Sequence, residues 1–173
     1  MREAVVGRLF PATMSSPFGI VGRAGDEVRF EEFDYHSQVW GFAVHRVARG
    51  LYRSGFPILA RELNARVMRQ ARDGLLPENV GGGTEPELVY CPHLLRVSRL
   101  AADGRPTVTV KERPPAPYAA WTAAAVVAID ADASADQVAE PSETAFERQV
   151  LNAQPGGHRA YQGTASLRWP PGV

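Results

Sequence analysis

Lysine is almost missing from this chain: Lys111 stands alone against eighteen arginines, and the 19 basic residues are balanced by 19 acidic ones. A net charge of zero leaves no global field to gather nucleic acid or anionic lipid. The arginines are spread along helix flanks rather than massed in a stripe, which argues against a nucleic-acid face. Cysteine is limited to Cys91, which excludes an internal disulfide. Cys91 and His93 lie two apart with no second pair, so the ligand set of a zinc site is missing. No apolar run reaches transmembrane length, and Met1–Gly7 lacks the apolar stretch of a signal peptide, so a cytoplasmic protein with no membrane partner is expected. Gly81-Gly82-Gly83 has no strand leading in and no Gly-Lys-Ser/Thr following, which excludes a phosphate loop. No cofactor and no metal are expected.

What is present is helical. With 173 residues and 45% hydrophobic content, the chain can form one domain with a real core, or part of a larger one. Its organising stretch is 35–78, which reads as a helical hairpin. Ser37 is a candidate N-cap for a first helix. Val39, Ala43, Val47 and Leu51 recur every fourth residue beside a second row of Trp40, Val44, Ala48 and Tyr52, a wide core-facing stripe. Ser54-Gly55 stops this helix and Pro57 starts the next. There Leu59, Leu63, Val67 and Ala71 share a face with Ile58, Ala65 and Met68 alongside, while Arg61, Glu62, Arg66, Arg69 and Arg72 are expected to cover the rest. Gly74 is a natural stop.

Around the hairpin the patterns are weaker. Residues 1–34 read as an irregular leading segment, with a short helix end near Ala4–Phe10 and a small hairpin around Ala24-Gly25-Asp26. Glu31, Glu32 and Asp34 form an acidic cluster of the kind usually found on a solvated face. A two-stranded excursion is expected within 88–110, where Leu94–Val97 is an apolar run and Thr107–Val110 alternates. Tyr118–Ile129 is a helix apolar nearly all round, which must bury most of its surface and so calls for a partner. From 131 to 173 the chain is small, acidic and rich in proline and glycine, and a low-order tail is expected, with one or two amphipathic turns at Thr144–Leu151.

Four segments carry a resemblance. Tyr35-His36-Ser37-Gln38-Val39-Trp40 resembles the Tyr-His-x-Gly-x-Val-Trp segment of six-hairpin, (α/α)6-barrel glycosidases, among them the glucosidase domain of glycogen-debranching enzymes and its glucoamylase-like and trehalase-like relatives. Ser16-Pro17-Phe18-Gly19-Ile20 is similar to the Thr-Pro-Phe/Tyr-Gly-Ile/Leu segment that precedes it there. Gly74-Leu75-Leu76-Pro77-Glu78 is similar to the family's Gly-x-Leu-Pro-Glu loop, and Ala119-Ala120-Trp121-Thr122-Ala123-Ala124 to the Gln-Ala-Trp-Ser/Thr-Ala-Ala opening of the last barrel helix. The segments stand in the family's order and span residues 14–130, the C-terminal part of such a barrel. The fold implied is mainly α: antiparallel helical hairpins of an incomplete (α/α)6 toroid carried by residues 35–130. Three departures are visible. Gln38 stands for the usual Gly, Gly41 for a common Pro, and Ala119 for the Gln that precedes Ala-Trp.

The resemblance implies that Glu78 is the general base that activates water, that Tyr35, His36 and Trp40 lie near a sugar pocket, and that Trp121 lies at its wall. Inverting glycoside hydrolysis also needs a general acid, and in this family that carboxyl belongs to a hairpin upstream of anything in this chain. The implied partners are an α-glucan oligosaccharide or polysaccharide and the missing N-terminal part of the barrel, and the isolated chain is expected to hydrolyse little. The alternative is a non-catalytic helical module that kept these fold pieces for carbohydrate binding or assembly. Read without the resemblance, Glu78 is a loop carboxylate, and Trp40 and Trp121 are aromatics on helix stripes, which usually belong to cores.

Overall fold

A computed structural model describes residues 1–24, 26–27, 38–70, 80–81, 95–100, 106–110, 120–135, 141–154 and 159–167. Among them the protein is mainly helical. Helix α1 spans Arg2–Gly7, α2 Gly41–Arg53, α3 Pro57–Gln70, α4 Ala120–Ala135 and α5 Ala145–Asn152, and a 3-10 turn covers Thr164–Leu167. The strands form three small antiparallel pairs: β1 (Ser15–Ser16) with β2 (Gly19–Ile20), β3 (Gln38–Val39) with β4 (Val80–Gly81), and β5 (Leu95–Leu100) with β6 (Pro106–Val110). The last pair is the expected excursion, and its register shifts between Val97 and Arg99. A short hairpin turns at Pro17-Phe18; the one expected around Ala24-Gly25-Asp26 falls partly on Gly25 and residues 28–37, outside the described residues, and Glu27 N donates to Ala24 O at 3.1 Å.

The α2–α3 hairpin is closed by its punctuation residues. Ser54 ends α2, and Gly55 takes a φ of 86°, a left-handed conformation that glycine adopts without a Cβ clash. Gly55 N then donates to Tyr52 O (3.1 Å) and Phe56 N to Leu51 O (3.0 Å), the paired bonds of a Schellman end. Phe56 and Leu51, which flank this end, are both buried. A link this short makes α2 and α3 antiparallel neighbours. α2 begins at Gly41 rather than near Ser37, because Gln38-Val39 is drawn into pairing with Val80-Gly81. Of the two rows predicted on α2, Val44, Ala48 and Leu51 are buried, Ala43 and Val47 half-buried, and Tyr52 exposed. The α3 face is buried as expected at Ile58, Leu59, Leu63, Ala65, Val67 and Met68; Ala71 lies outside the described residues.

α4 packs on α2 and touches α3, burying Thr122, Ala125, Val126, Ile129 and Ala133. It runs six residues past the expected end at Ile129, through a segment whose alternate alanines are the best helix formers. Its outer side carries Val127, 69% exposed, so among the described residues the apolar helix covers one face.

The expectation of a low-order tail fails for residues 141–154 and 159–167. α5 has a complete capping box: Glu147 N donates to Thr144 Oγ1 (3.1 Å) and Thr144 N to Glu147 Oε2 (2.9 Å). The other oxygen of the same carboxylate accepts from Ile58 N (2.8 Å) and Leu59 N (3.3 Å) at the start of α3, where an anion also meets the positive helix end. Glu147 is fully buried. One side chain therefore caps two helices and fixes α5 to the hairpin.

Candidate functional site

The segment containing Trp40 is held by a junction centred on Val39. This residue pairs with Val80 in the β3–β4 ladder and bridges Val21, which directly follows β2. Gly22 N adds a bond to Gln38 O at 3.1 Å. Gly19, with a φ of 141°, is pressed against the same place: a Cβ there would sit 2.8 Å from Val44 Cγ2 and 2.9 Å from Val39 Cγ1. Only a residue without a side chain allows this approach. Val39 is fully buried. Three stretches that are remote in sequence, around residues 19, 39 and 80, thus meet at one point.

Trp40 is the N-cap of α2. Its carbonyl accepts from Ala43 N (2.9 Å) and Val44 N (3.0 Å). The indole is half-buried and meets Phe42 edge-on, with ring centroids 6.2 Å apart at 72°. Trp121 is the second residue of α4. Ala48–Arg53 of α2 and Ile129–Ala133 of α4 line one cleft, so the C-terminal halves of these helices lie together. Residue 121 precedes Ile129 by eight positions, as Trp40 precedes Ala48, so each start is about 12 Å of helix from the cleft. Tyr35, His36 and Glu78 lie outside the described residues, as do Cys91, His93 and the cluster Glu31, Glu32 and Asp34.

The charged face predicted on α3 is a correction. Arg61, Glu62 and Arg66 are 4%, 0% and 3% exposed; only Arg69 among the described members of that set faces water. The Glu62 carboxylate accepts from Ala160 N (2.9 and 2.8 Å) and Tyr161 N (2.8 Å) and pairs with Arg66 Nε at 2.8 Å. Arg66 in turn donates to Ser15 Oγ (2.7 Å), Ser16 O (2.9 Å) and Gln154 Oε1 (3.3 Å). Gln154 Nε2 closes the net on Phe10 O at 2.7 Å. A buried ion pair needs this many partners to offset its desolvation. Nearly every polar atom is committed to binding the chain's ends to α3, which makes the net a clamp rather than a catalytic pair. The sequence signal was present as Glu62 and Arg66 at i, i+4, but that spacing is equally common on wet faces.

Arg61 Nη1 donates to Tyr161 Oη at 2.7 Å and its guanidinium lies 5.6 Å from that ring's centre. His45 is also buried, with Nδ1 3.0 Å from Asn64 Oδ1. The cleft shared by α2, α3 and α4 has a volume of about 230 Å³ and lies at the end of the hairpin opposite Trp40. Among the described residues there is no group of three side chains able to hold a metal ion, and no helix is long and apolar enough to cross a membrane. No family model, curated protein or solved structure matches the chain.

Proposed function

We propose that this chain is the C-terminal part of a six-hairpin glycosidase of debranching type, with Glu78 as the general base and an α-glucan oligosaccharide as substrate. The observation that carries the reading is the junction at Val39. The family-like segments at 16–20, 35–40 and 74–78 are separated by up to about sixty residues, and nothing in their individual patterns requires them to meet. Yet Gly19 of the first abuts Val39 of the second, and Val39 pairs with Val80, two residues beyond Glu78. A two-residue tether reaches at most about 7 Å.

In this reading Glu78 removes a proton from water as the water oxygen attacks the anomeric carbon on the face opposite the leaving group. The carboxyl that protonates a natural leaving oxygen belongs to the part of the barrel preceding this chain, and inversion requires both groups about 6.5–9.5 Å apart. The expected partner is therefore the remainder of the toroid, which would also cover the open side of α4.

An α-glucosyl fluoride tests the base without the acid, because fluoride departs without protonation. The C1–F bond breaks, the water oxygen bonds to C1, its proton goes to Glu78, and fluoride leaves. We expect fluoride release above the spontaneous rate, falling by about 10²–10⁴-fold in Glu78→Gln, the usual contribution of general-base catalysis. Equal release by the variant overturns the assignment of Glu78. Sugar binding without any release favours the non-catalytic module.

A further inference from the structure

Trp40 breaks the local rule for the place it occupies. A helix N-cap favours a short polar side chain that accepts from the first free backbone N–H groups. An indole is a donor only, and that of Trp40 makes no capping bond. The backbone around it is nevertheless fixed on both sides. Val39 before it is fully buried and paired with Val80, and the Trp40 carbonyl accepts from Ala43 N (2.9 Å) and Val44 N (3.0 Å). What these contacts leave open is the direction of the indole itself, set by its side-chain torsions.

Phe42 supplies that restraint. Residues two apart in a continuous helix point to different sides and do not meet. Trp40 stands outside the helix, with φ −107° and ψ 112°, and from there its ring meets Phe42, with centroids 6.2 Å apart and planes at 72°. Near-perpendicular rings set the positive edge of one against the negative face of the other, a preferred arrangement with a defined tilt. Both residues are half-buried, so the rings hold each other while part of the aromatic surface still faces solvent. A sugar platform needs both properties. Its ring must be open to lie under the C–H face of a sugar, and its tilt must be set before the ligand arrives, because ordering it on binding costs affinity.

We infer that Phe42 is the positioning residue for Trp40, locking the indole at the tilt that receives a glucosyl ring of an α-glucan. Phe42 acts through Trp40 and needs no contact with the sugar. The ligand rests on the glycosidase reading; the ring pair rests on the geometry alone.

Fluorine NMR of the full chain labelled with fluorotryptophan, together with calorimetric titration by maltotriose, tests it. Three tryptophans give three resonances, and Trp40→Phe assigns one of them. Without sugar, Phe42→Leu should shift or broaden the Trp40 resonance, whereas Phe42→Tyr, which keeps the ring, should leave it sharp. Phe42→Leu should weaken maltotriose binding about two- to tenfold, the worth of an edge-to-face pair, and Phe42→Tyr should bind within about twofold of the unaltered chain. In a Trp40→Ala background, Phe42→Leu should cause no further loss, the coupling expected of a residue that acts through another. A Trp40 resonance unchanged by Phe42→Leu, or losses that add in the double variant, overturns the positioning role while leaving the glycosidase reading in place. An altered resonance with no maltotriose binding, or with binding indifferent to Trp40→Ala, overturns the role of the pair toward sugar and the placing of Trp40 at a sugar pocket with it.

Discussion

Replacing Glu62 by glutamine is the sharpest perturbation of the buried clamp, because it preserves shape while removing charge. The carboxylate is fully buried and receives donors from Ala160 N, Tyr161 N and Arg66 Nε. Glutamine keeps one acceptor oxygen but turns an amide NH₂ toward groups that are themselves donors. Arg66, 3% exposed, would then hold a buried positive charge with only neutral acceptors on Ser15, Ser16 and Gln154. Removing one partner of a buried ion pair costs about 3–5 kcal/mol. That is a large share of the 5–15 kcal/mol that holds a typical domain folded. For a chain of this size it corresponds to a melting shift of roughly 6–20 °C. Urea denaturation followed by circular dichroism would measure it, with the midpoint falling and the slope unchanged. A double-mutant cycle with Arg66→Met separates the pair from the remaining contacts, and a large coupling energy is expected. A loss below about 1 kcal/mol, the range of an exposed pair, would refute the claim that this network clamps residues 159–161 and the β1–β2 segment onto α3.

Other consequences follow from the same geometry. Gly19→Ala places a methyl 2.8–2.9 Å from Val44 and Val39 at a φ that side chains avoid, and should cost about 1–3 kcal/mol in thermal melts; a neutral result would mean that the junction is looser than described. Thr144→Ala removes half of the α5 capping box and should cost about 1 kcal/mol by chemical denaturation, whereas no change would show the cap to be dispensable. The Arg148 guanidinium bonded to Glu143, followed by Arg159, holds that carboxyl below its ordinary value of 4.5. The folded state then binds fewer protons than the unfolded one, so this contribution is complete above the ordinary value and is lost as pH falls through the lower folded one. Stability curves of the protein and Glu143→Gln should therefore converge on acidification; parallel curves would contradict the shift. The effect is small, under about 1 kcal/mol, because Arg148 is well exposed.

How much of this was legible in the sequence depends on whether the cause was local. The four-residue spacing of Leu59, Leu63 and Val67 and the Ser54-Gly55-x-Pro57 punctuation act within one turn of chain, and the hairpin stands as read. The Ser37 cap is a local signal, yet α2 starts at Gly41 because Gln38-Val39 answers to Val80-Gly81, some forty residues away, and the distant ladder overrides it. Glu62 and Arg66 look like a solvated pair until Ser15, Gln154 and Ala160 are brought around them. The α5 region was undervalued for a similar reason: its composition is poor in core residues, but Glu147 is a buried cap for another helix, a role that hydrophobicity does not register. Of the proposed site residues, Trp40, expected inside the first helix, instead stands at its N-cap, and Tyr35, His36 and Glu78 lie outside the described residues. The importance of Gly19 became visible only through its contact with Val39 and Val44.

The central claim, that Glu78 activates water against a sugar, is tested most directly by proton NMR of the glucose first released from α-glucosyl fluoride by the full chain. The account predicts that β-glucose appears first, through attack on the face opposite the departing fluoride, and that Glu78→Gln abolishes this burst. Release of α-glucose first, or an undiminished signal from Glu78→Gln, would contradict it.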